Sequence, residues 1–356
     1  MPRARVQASK ENDDKSPAPR ATVGLRDVAR AAGVSTATVS RAINNPDIVS
    51  ADLRERILSV IDRLGWVPDG AARALTTRRA GVIGAVFPTL SHGDFARATN
   101  AIQAELLTSG YTLLLACSDY DAEQEYRQVR KFIERGVDGL ILVGEAHHPK
   151  LKEFLLGRGV PFVQTFVYSR TTHGSCIGPD NHRALFNLTN YLLDLGHVRF
   201  AAIAQSTENN DRATARLNGL RDALAERSLA IPPEHFAIGE WTIAEGRALF
   251  RHVMAGPSKP TAVVCGNPYL AAGAFLESQA MGLRVPHDLS IVGYDDIELL
   301  SELPVPITTV RVQSDQVGRY AARFIVGKVE GKPADIVFEC PAEIIVRASS
   351  GPPPRR

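Results

Sequence analysis

Two periodicities divide the chain. In residues 22–66 apolar positions recur at helical spacing. Leu25, Val28, Ala29 and Ala32 follow at i, i+3, i+4 and i+7 and predict a short helix from about Leu25 to Ala32. Gly24 serves as its N-cap, and Asp27 sits in the first turn, where a carboxylate suits the helix dipole. Gly33 supplies a tight turn. Ser35 caps a second helix running to about Asn44, with Val39, Ala42 and Ile43 inward. Asn44-Asn45-Pro46 stops it, because a residue before proline avoids the helical region. Ser50 caps a third helix over ADLRERILSVIDRLG, whose inward positions are Leu53, Ile57, Val60, Ile61 and Leu64. Two short helices across a glycine turn, braced by a third, predict a helix-turn-helix.

Beyond residue 80 short apolar runs alternate with amphipathic helices. GVIGAVFP, YTLLLAC, DGLILVG, PFVQTF, RFAAIA, AVVCG and SIVGYDD are the runs; FARATNAIQAELLTSG, DAEQEYRQVRKFIERG, PKLKEFLLGRG, a helix ending at LLDLGH, RLNGLRDALAER and YLAAGAFLESQAMG are the helices. This alternation predicts an α/β core of parallel sheets covered on both faces, arranged as two lobes. Ligands in such sheets bind outside the carboxyl ends of the strands. Between the two regions, residues 67–80 (VPDGAARALTTRRA) begin with Pro68 and Gly70, which break the third helix. AARAL is long enough for about one helical turn, too short to be stable alone in water. The segment is a basic linker or hinge.

Composition sharpens this division. The 356 residues suffice for two or three domains, and 44% hydrophobic with 22% charged residues is ordinary for a globular chain. The net charge is only +2, but residues 1–80 hold 14 Lys/Arg against 9 Asp/Glu, and the remainder holds 27 against 30. A basic head on a slightly acidic body suggests a polyanion-binding module. Cys117, Cys176, Cys265 and Cys340 form no CxxC pair and are expected to be reduced core thiols. No apolar run reaches the roughly 18 residues that span a bilayer. Residues 1–22 lack the apolar stretch of a signal peptide and are expected to be a disordered charged arm, and residues 348–356, ending GPPPRR, a frayed tail. A cytoplasmic location is expected.

The second helix presents Thr36, Ala37, Ser40 and Arg41 while burying Val39. Small hydroxyls approach phosphates and base edges closely, Ala37 can touch a thymine methyl, and Arg41 can reach a guanine edge or a phosphate. From spacing alone, a capped three-helix bundle with solvated hydroxyls is the alternative.

The run GLRDVARAAGVSTATVSRAINNPDIVSADLRERILSVIDRLGWVPDGAARAL resembles the DNA-binding head of the LacI/GalR family of transcriptional regulators. The resemblance extends over Gly81 to about Arg347, through YTLLLACSDYDAEQE, GVDGLIL, PDNHRAL, LGHVRFAAIA, RLNGL, TAVVCGN, MGLRVPHDLSIVGYDD and PITTVR, where the core resembles that family's effector unit and the periplasmic sugar-binding proteins. It implies that Thr36 and Ala37, following the capping Ser35, discriminate bases. Arg41 is the family arginine of the TVSR run, and Thr38, Ser40 and Asn44 hold the DNA backbone. Leu75 matches the family's wedge in a hinge helix that folds on DNA, a side chain levered into a base step. Asp69 departs from the Asn or Ser usual after the proline. The analogy places lobe one at about 81–178 and 310–331 and lobe two at about 179–309 and 332–347, with crossings near Gly178, Val310 and Gly331. The helix SDQVGRYAARFIVGKVEG returns to lobe one.

Effector-site candidates sit at strand ends. Phe95, on the SHGDF loop after the first strand, either stacks on a ring or packs in the core. The resemblance implies that Arg216 grips ligand hydroxyls or a carboxylate, for which a guanidinium fork is suited. It also makes Trp241 a ligand platform and Asp295 a ligand-binding aspartate, and leaves Asp296 to brace the loop. Asn267, at the end of CGN, offers an amide donor and acceptor. Three positions depart from the family: Phe166 where an acid is frequent, Pro268 where aspartate is usual, and Glu145 where a small hydroxyl residue is usual. Arg212 beside Arg216 either favours an anionic ligand such as a sugar acid or supports the loop.

No cofactor or metal site is expected. His147-His148 are adjacent and point apart, with no third ligand nearby in sequence. No GxSxG, P-loop or paired-acid motif supports catalysis. The expected protein is a ligand-responsive, sequence-specific DNA-binding regulator, a repressor of carbon-source or sugar-acid metabolism acting as a homodimer on a near-palindromic operator. The tail ASSGPPPRR carries no leucine heptads that would form a coiled-coil tetramer. A sugar-binding transport protein and a metabolite enzyme with a targeting head are the rivals. The first is disfavoured by the missing signal peptide and the head, the second by the lack of catalytic motifs.

Overall fold

The computed structural model describes residues 23–67, 79–169, 174–332 and 336–355. The arm (1–22), the hinge residues Pro68, Asp69 and Gly70 and the wedge Leu75 lie outside the described residues. The chain divides into a small helical unit and a large unit, Arg79–Arg356.

The small unit holds α1 (Leu25–Ala32), α2 (Thr36–Asn44) and α3 (Ala51–Leu64). Asp27 closes the start of α1 by accepting from the Gly24 N–H at 3.0 Å. Gly33 ends it in the left-handed region (φ 65°), a conformation that costs a glycine nothing. Ser35 Oγ accepts from Thr38 N at 3.1 Å and caps α2. Val28, Ala29, Ala32, Val39, Ala42, Ile57 and Val60 are buried, with Leu25, Ile43, Leu53, Ile61, Leu64 and Trp66 packed around them. The helical periodicity identified this core.

The large unit contains two six-stranded sheets. The first is built from β1 (Val82–Phe87), β2 (Thr112–Cys117), β3 (Gly139–Val143), β4 (Phe162–Thr165), β5 (Cys176–Gly178) and β11 (Val337–Glu339), in the order β11-β5-β4-β3-β1-β2. The second is built from β6 (Phe200–Gln205), β7 (Phe236–Gly239), β8 (Ala262–Cys265), β9 (Ser290–Tyr294), β10 (Thr308–Val312) and β12 (Ala342–Ile345), in the order β12-β10-β9-β8-β6-β7. All pairings are parallel except β10 with β12. Helices α4 (Gly93–Thr108), α5 (Ala122–Glu134), α6 (Leu151–Arg158) and α12 (Ser314–Val329) cover the first sheet. Helices α7 (Asn181–Asp194), α8 (Asp211–Glu226), α9 (Ile243–Val253) and α10 (Pro268–Ala280) cover the second, and a short α11 (Glu298–Glu302) follows β9. Helices α7 and α8 approach so closely that a Cβ at Gly219 would collide with the His182 carbonyl.

The structure corrects three expectations. Residues 332–347 do not all belong to lobe two: β11 pairs with β5 at the edge of the first sheet, fastened by Cys176 N to Ile336 O and Cys340 N to Gly178 O, both 2.8 Å. The third crossing therefore follows the buried Cys340 rather than Gly331. Val310 lies within β10, so the second crossing also falls later, between Val312 and Ser314. Finally, residues 348–351 are not frayed. Buried Ser349 accepts from Thr308 N (2.8 Å) and donates to Ile291 O (2.6 Å), and His197 Nε2 meets the Gly351 carbonyl at 2.9 Å. A polar Ser-Ser-Gly run gives no apolar signal, yet its hydroxyls and amides complete the edge of the second lobe.

Candidate functional site

In the head, α2 presents a graded surface. Ala37 and Arg41 are exposed, and Thr36 and Ser40 are partly so, as expected. Ser35 and Thr38 hydroxyls lie 2.9 Å apart, and Asn44 Nδ2 donates to Ser40 Oγ at 3.2 Å. Internal bonds therefore orient four of the hydroxyl and amide groups, and among the described residues the Thr36 hydroxyl and the Arg41 guanidinium have no hydrogen-bond partner. The last helical turn thus offers a guanidinium beside small side chains, an arrangement suited to a duplex groove.

In the core, the strand ends of both lobes converge on one cleft. Lobe one contributes His92, Asp94 and Phe95 at the start of α4, Tyr120 after β2, and Phe166 after β4; lobe two contributes Asn181, Gln205, Arg212, Arg216, Tyr294 and Asp295. The inner part is closed down to about 30 Å³. It opens into a mouth of about 680 Å³ lined by Tyr120, Gln205, Asn209, Glu240 and Trp241 among others, within the usual range for small-molecule sites. Five backbone positions here or beside it have positive φ without being glycine: Asp119, Tyr120, Phe166, Asn209 and Asp295, the last at 67°. Such conformations cluster at ligand sites because the surrounding packing must hold them.

Polar and aromatic contacts join the lobes across the cleft. Arg212 Nη1 donates to Val143 O at 3.3 Å, and the Asp211 carboxylate accepts from Glu145 N (3.0 Å) and Ala146 N (3.4 Å). Tyr269 OH donates to Ser91 O at 3.1 Å, and Arg97 to Asp296 O at 3.1 Å. Gly144 lies where these meet, at φ 80°, and a methyl on it would land on the Arg212 guanidinium. The His92 ring lies among Phe95 (5.3 Å), Tyr269 (5.6 Å) and Trp241 (6.2 Å). Burial lowers the His92 imidazole to about 4, so it is neutral at pH 7; Asp94 opposes the drop, and Arg216, Arg97 and Arg212 add to it. Burial raises the Asp295 carboxyl well above the ordinary range, and the Asp94 charge adds to the rise.

The expected effector residues fall into three groups. Phe95, Arg212, Arg216 and Asp295 line the inner cleft, and Trp241 its mouth. Phe95 is in the first turn of α4 and 6% exposed, stacked edge-on against Phe166, so it is both core and wall. Arg216 is buried, donates to Asn181 Oδ1 at 3.0 Å and lies 4.5 Å over the Tyr294 ring. Arg212 is committed to Asp211 and Val143, which makes it an inter-lobe brace. Asn267 is displaced one shell outward: its Oδ1 caps α10 through Leu270 N, and its Nδ2 holds Gln205 Oε1 at 3.0 Å. Glu145 leaves the cleft and lines a separate pocket of lobe one with His147, His148 and Gln164, because the turn at Gly144 carries its side chain away. Asp296 braces the loop, bonded to Arg311 (2.7 Å) and Arg347 (2.7 Å).

The sequence reading missed His92, Asp94, Tyr120, Asn181, Gln205 and Tyr294. Tyr120 lies inside the YTLLLACSDYDAEQE run, Asn181 inside PDNHRAL, Tyr294 inside SIVGYDD, and His92 with Asp94 beside Phe95, whereas Gln205 follows the RFAAIA run with no motif of its own.

A model of bacterial regulatory proteins of the lacI family matches residues 24–69, and a periplasmic binding protein-like domain matches residues 189–350. The repressor PurR of Vibrio campbellii is 30% identical over 325 residues, 91% of this chain and 97% of that protein. The chain belongs to the LacI family. The repressor CytR of Escherichia coli K12 is 29% identical over 330 residues, 92% of this chain and 96% of its own length. The lac repressor dimer bound to operator and the anti-inducer ONPF superposes with a TM-score of 0.83 at 25% identity, covering 93% of this chain and 99% of that one. The LacI-family helix-turn-helix head and two-lobed α/β core are thus both present. A LacI-family chain is a DNA-binding transcriptional regulator rather than an enzyme. Among the described residues no helix is long and apolar enough to cross a membrane.

Proposed function

We propose that this chain is an effector-controlled repressor that binds a near-palindromic operator as a homodimer, with a sugar or sugar acid closing the cleft between its lobes. The observation that carries the effector reading is the meeting of Arg216 and Asp295 of lobe two with Phe95 and Phe166 of lobe one in a single pocket. A ligand touching all four has more contacts in the closed state than in an open one, so it shifts the lobe equilibrium. Coupling of that shift to DNA affinity is then reciprocal. In this reading Thr36, Ala37 and Arg41 read base edges. Ser35, Thr38, Ser40 and Asn44 hold the phosphate backbone, and Leu75 wedges the minor groove. Arg216 and Asp295 grip the effector, Trp241 forms its platform, and Arg212 holds the closed state.

The test is a set of thermal melts against neutral sugars, sugar acids, polyols and nucleobases. A ligand that binds only the folded state raises the midpoint, by about 2.7 kcal/mol at a hundredfold excess over its dissociation constant. A shift with one sugar class, lost in Asp295→Ala, supports the cleft. A shift that survives Asp295→Ala, or none with any sugar or sugar acid, overturns it. A sedimentation mass of four chains without DNA would refute the dimer.

A further inference from the structure

We propose that lobe one carries a second small-molecule site, apart from the cleft, that takes a free α-amino acid with an apolar side chain. The site is the pocket of about 260 Å³ at the carboxyl ends of β3 and β4, beside the start of α6. Its size falls just under the roughly 300–1,000 Å³ of drug-sized sites and suits a smaller metabolite. Leu142, Leu151, Leu155 and Phe162 supply an apolar wall. A chain of bonds builds the polar wall. The Glu125 carboxylate on α5, 6% exposed, accepts from His147 Nδ1 at 2.8 Å, which leaves Nε2 to accept from Gln164 Nε2 at 3.3 Å. Gln164 is itself buried, and among the described residues its Oε1 has no hydrogen-bond partner. A carbonyl in so sheltered a place calls for a donor, which a ligand N–H supplies.

Two charged groups at the pocket select the ligand class. The Glu145 carboxylate lines it, which favours an ammonium over a neutral amide as the donor. Lys152 lines it too; its side chain is exposed and has no hydrogen-bond or ion-pair partner among the described residues. Lys152 is the second residue of α6, a helix whose N-cap, Lys150, makes no side-chain cap bond. The Lys152 and Glu153 amides, which no intrahelical carbonyl can meet, and the positive end of the helix dipole therefore join the Lys152 ammonium in favouring a carboxylate. Glu153, the acid of that turn, is exposed and outside the pocket lining. Ammonium, carboxylate and apolar body on one small molecule describe an α-amino acid such as leucine or phenylalanine. A sugar or sugar acid leaves the apolar wall uncovered and brings no cation. The loop 144–149 also presents the Glu145 and Ala146 amides to Asp211, so the ligand lies against the loop that latches the lobes.

The experiment titrates the full chain by calorimetry with L-leucine and L-phenylalanine. It also uses two analogues of each, the amine that lacks the carboxylate and the acid that lacks the ammonium. At least one amino acid is expected to bind saturably at one site per chain, with its amine and its acid each weaker by about tenfold or more. Affinity should fall by about tenfold or more in Lys152→Glu and in Glu145→Gln, each checked for a native circular-dichroism spectrum. Asp295→Ala, which removes a cleft contact, separates the two sites and should leave the affinity as it is. Three results would each overturn the site: no saturable binding of either amino acid, an amine or an acid that binds as tightly as its parent, or binding lost in Asp295→Ala and kept in Lys152→Glu. The sugar melts test the cleft independently.

Discussion

Replacing Asp211 by alanine should open the cleft while leaving both lobes folded. Asp211 stands in the first turn of α8 and reaches across to two lobe-one amides, Glu145 N at 3.0 Å and Ala146 N at 3.4 Å. It also fixes Arg212 Nη1 at 3.0 Å, whose other partner is Val143 O. A hydrogen bond to a charged group contributes about 1.5–3 kcal/mol. One of the two amide bonds is long, and the carboxylate is 21% exposed, so the low end of that range applies. The closed state should lose about 2–3 kcal/mol relative to the open one, which is roughly 30- to 150-fold in the equilibrium. The helix keeps its own cap, Asn210 Oδ1 to Ala213 N, so α8 should persist. Hydrogen exchange followed by mass spectrometry is the assay. Peptides covering 88–97 and 143–149 should speed up together by that factor, because both lie on the seam. Faster exchange confined to 143–149 would mean only a local loss of acceptors, and the latch reasoning would fail.

Three further outcomes follow from the same geometry. Ending the chain after Arg347 removes Ser349, leaving Thr308 N and Ile291 N without acceptors at about 1–3 kcal/mol each, so the core should melt several degrees lower; an unchanged midpoint would show the strap to be idle. Ile57→Ala removes a fully buried side chain from the head at about 2–5 kcal/mol, comparable to the whole stability of so small a unit. Operator binding should vanish with the core transition unchanged, as read by gel shift and calorimetry. His197 is bonded to Thr261, Ser290 and Gly351, and burial lowers its imidazole below the ordinary 6.5 despite the opposing Gly351 carbonyl. Its folded form is neutral, so its contribution is full above about pH 6.5 and fades as pH falls toward the lowered value. His197→Gln should therefore flatten the fall in melting temperature between pH 7 and 5, and an unaltered slope would assign the fall to other groups.

The head was legible in the chain because its chemistry is local. Caps, a glycine turn and i, i+3, i+4 spacing all lie within a few residues, and the burial of Val28, Val39 and Ile57 follows from them. The alternation of apolar runs and helices likewise fixed the layered core. The short strands β5, β7, β11 and β12 were missed: β7, β11 and β12 are only partly buried edge strands, and β5 is three residues long, so none shows the apolar run that marked the four-residue β4 and β8. The place of β7, β11 and β12 is set by the sheet edges they complete, and that of β5 by its pairing between β4 and β11.

The cleft divides along the same line. Phe95, Arg216, Trp241 and Asp295 stand in motifs, so chain order alone marked them. Glu145 stood at a strand end too, yet the left-handed turn at Gly144 sends it into another pocket. Asn267 was read as a ligand contact and serves instead to hold Gln205. The meeting of His92 and Asp94 with Asp295 has no trace in the sequence, since these residues come from different lobes. The sequence by itself determined the three helices of the head, most of the strand and helix runs of the core, and that residues 1–80 carry the basic excess. Only the tertiary structure decided which distant side chains share a buried space, because that depends on how two sheets close on each other rather than on any run of neighbouring residues.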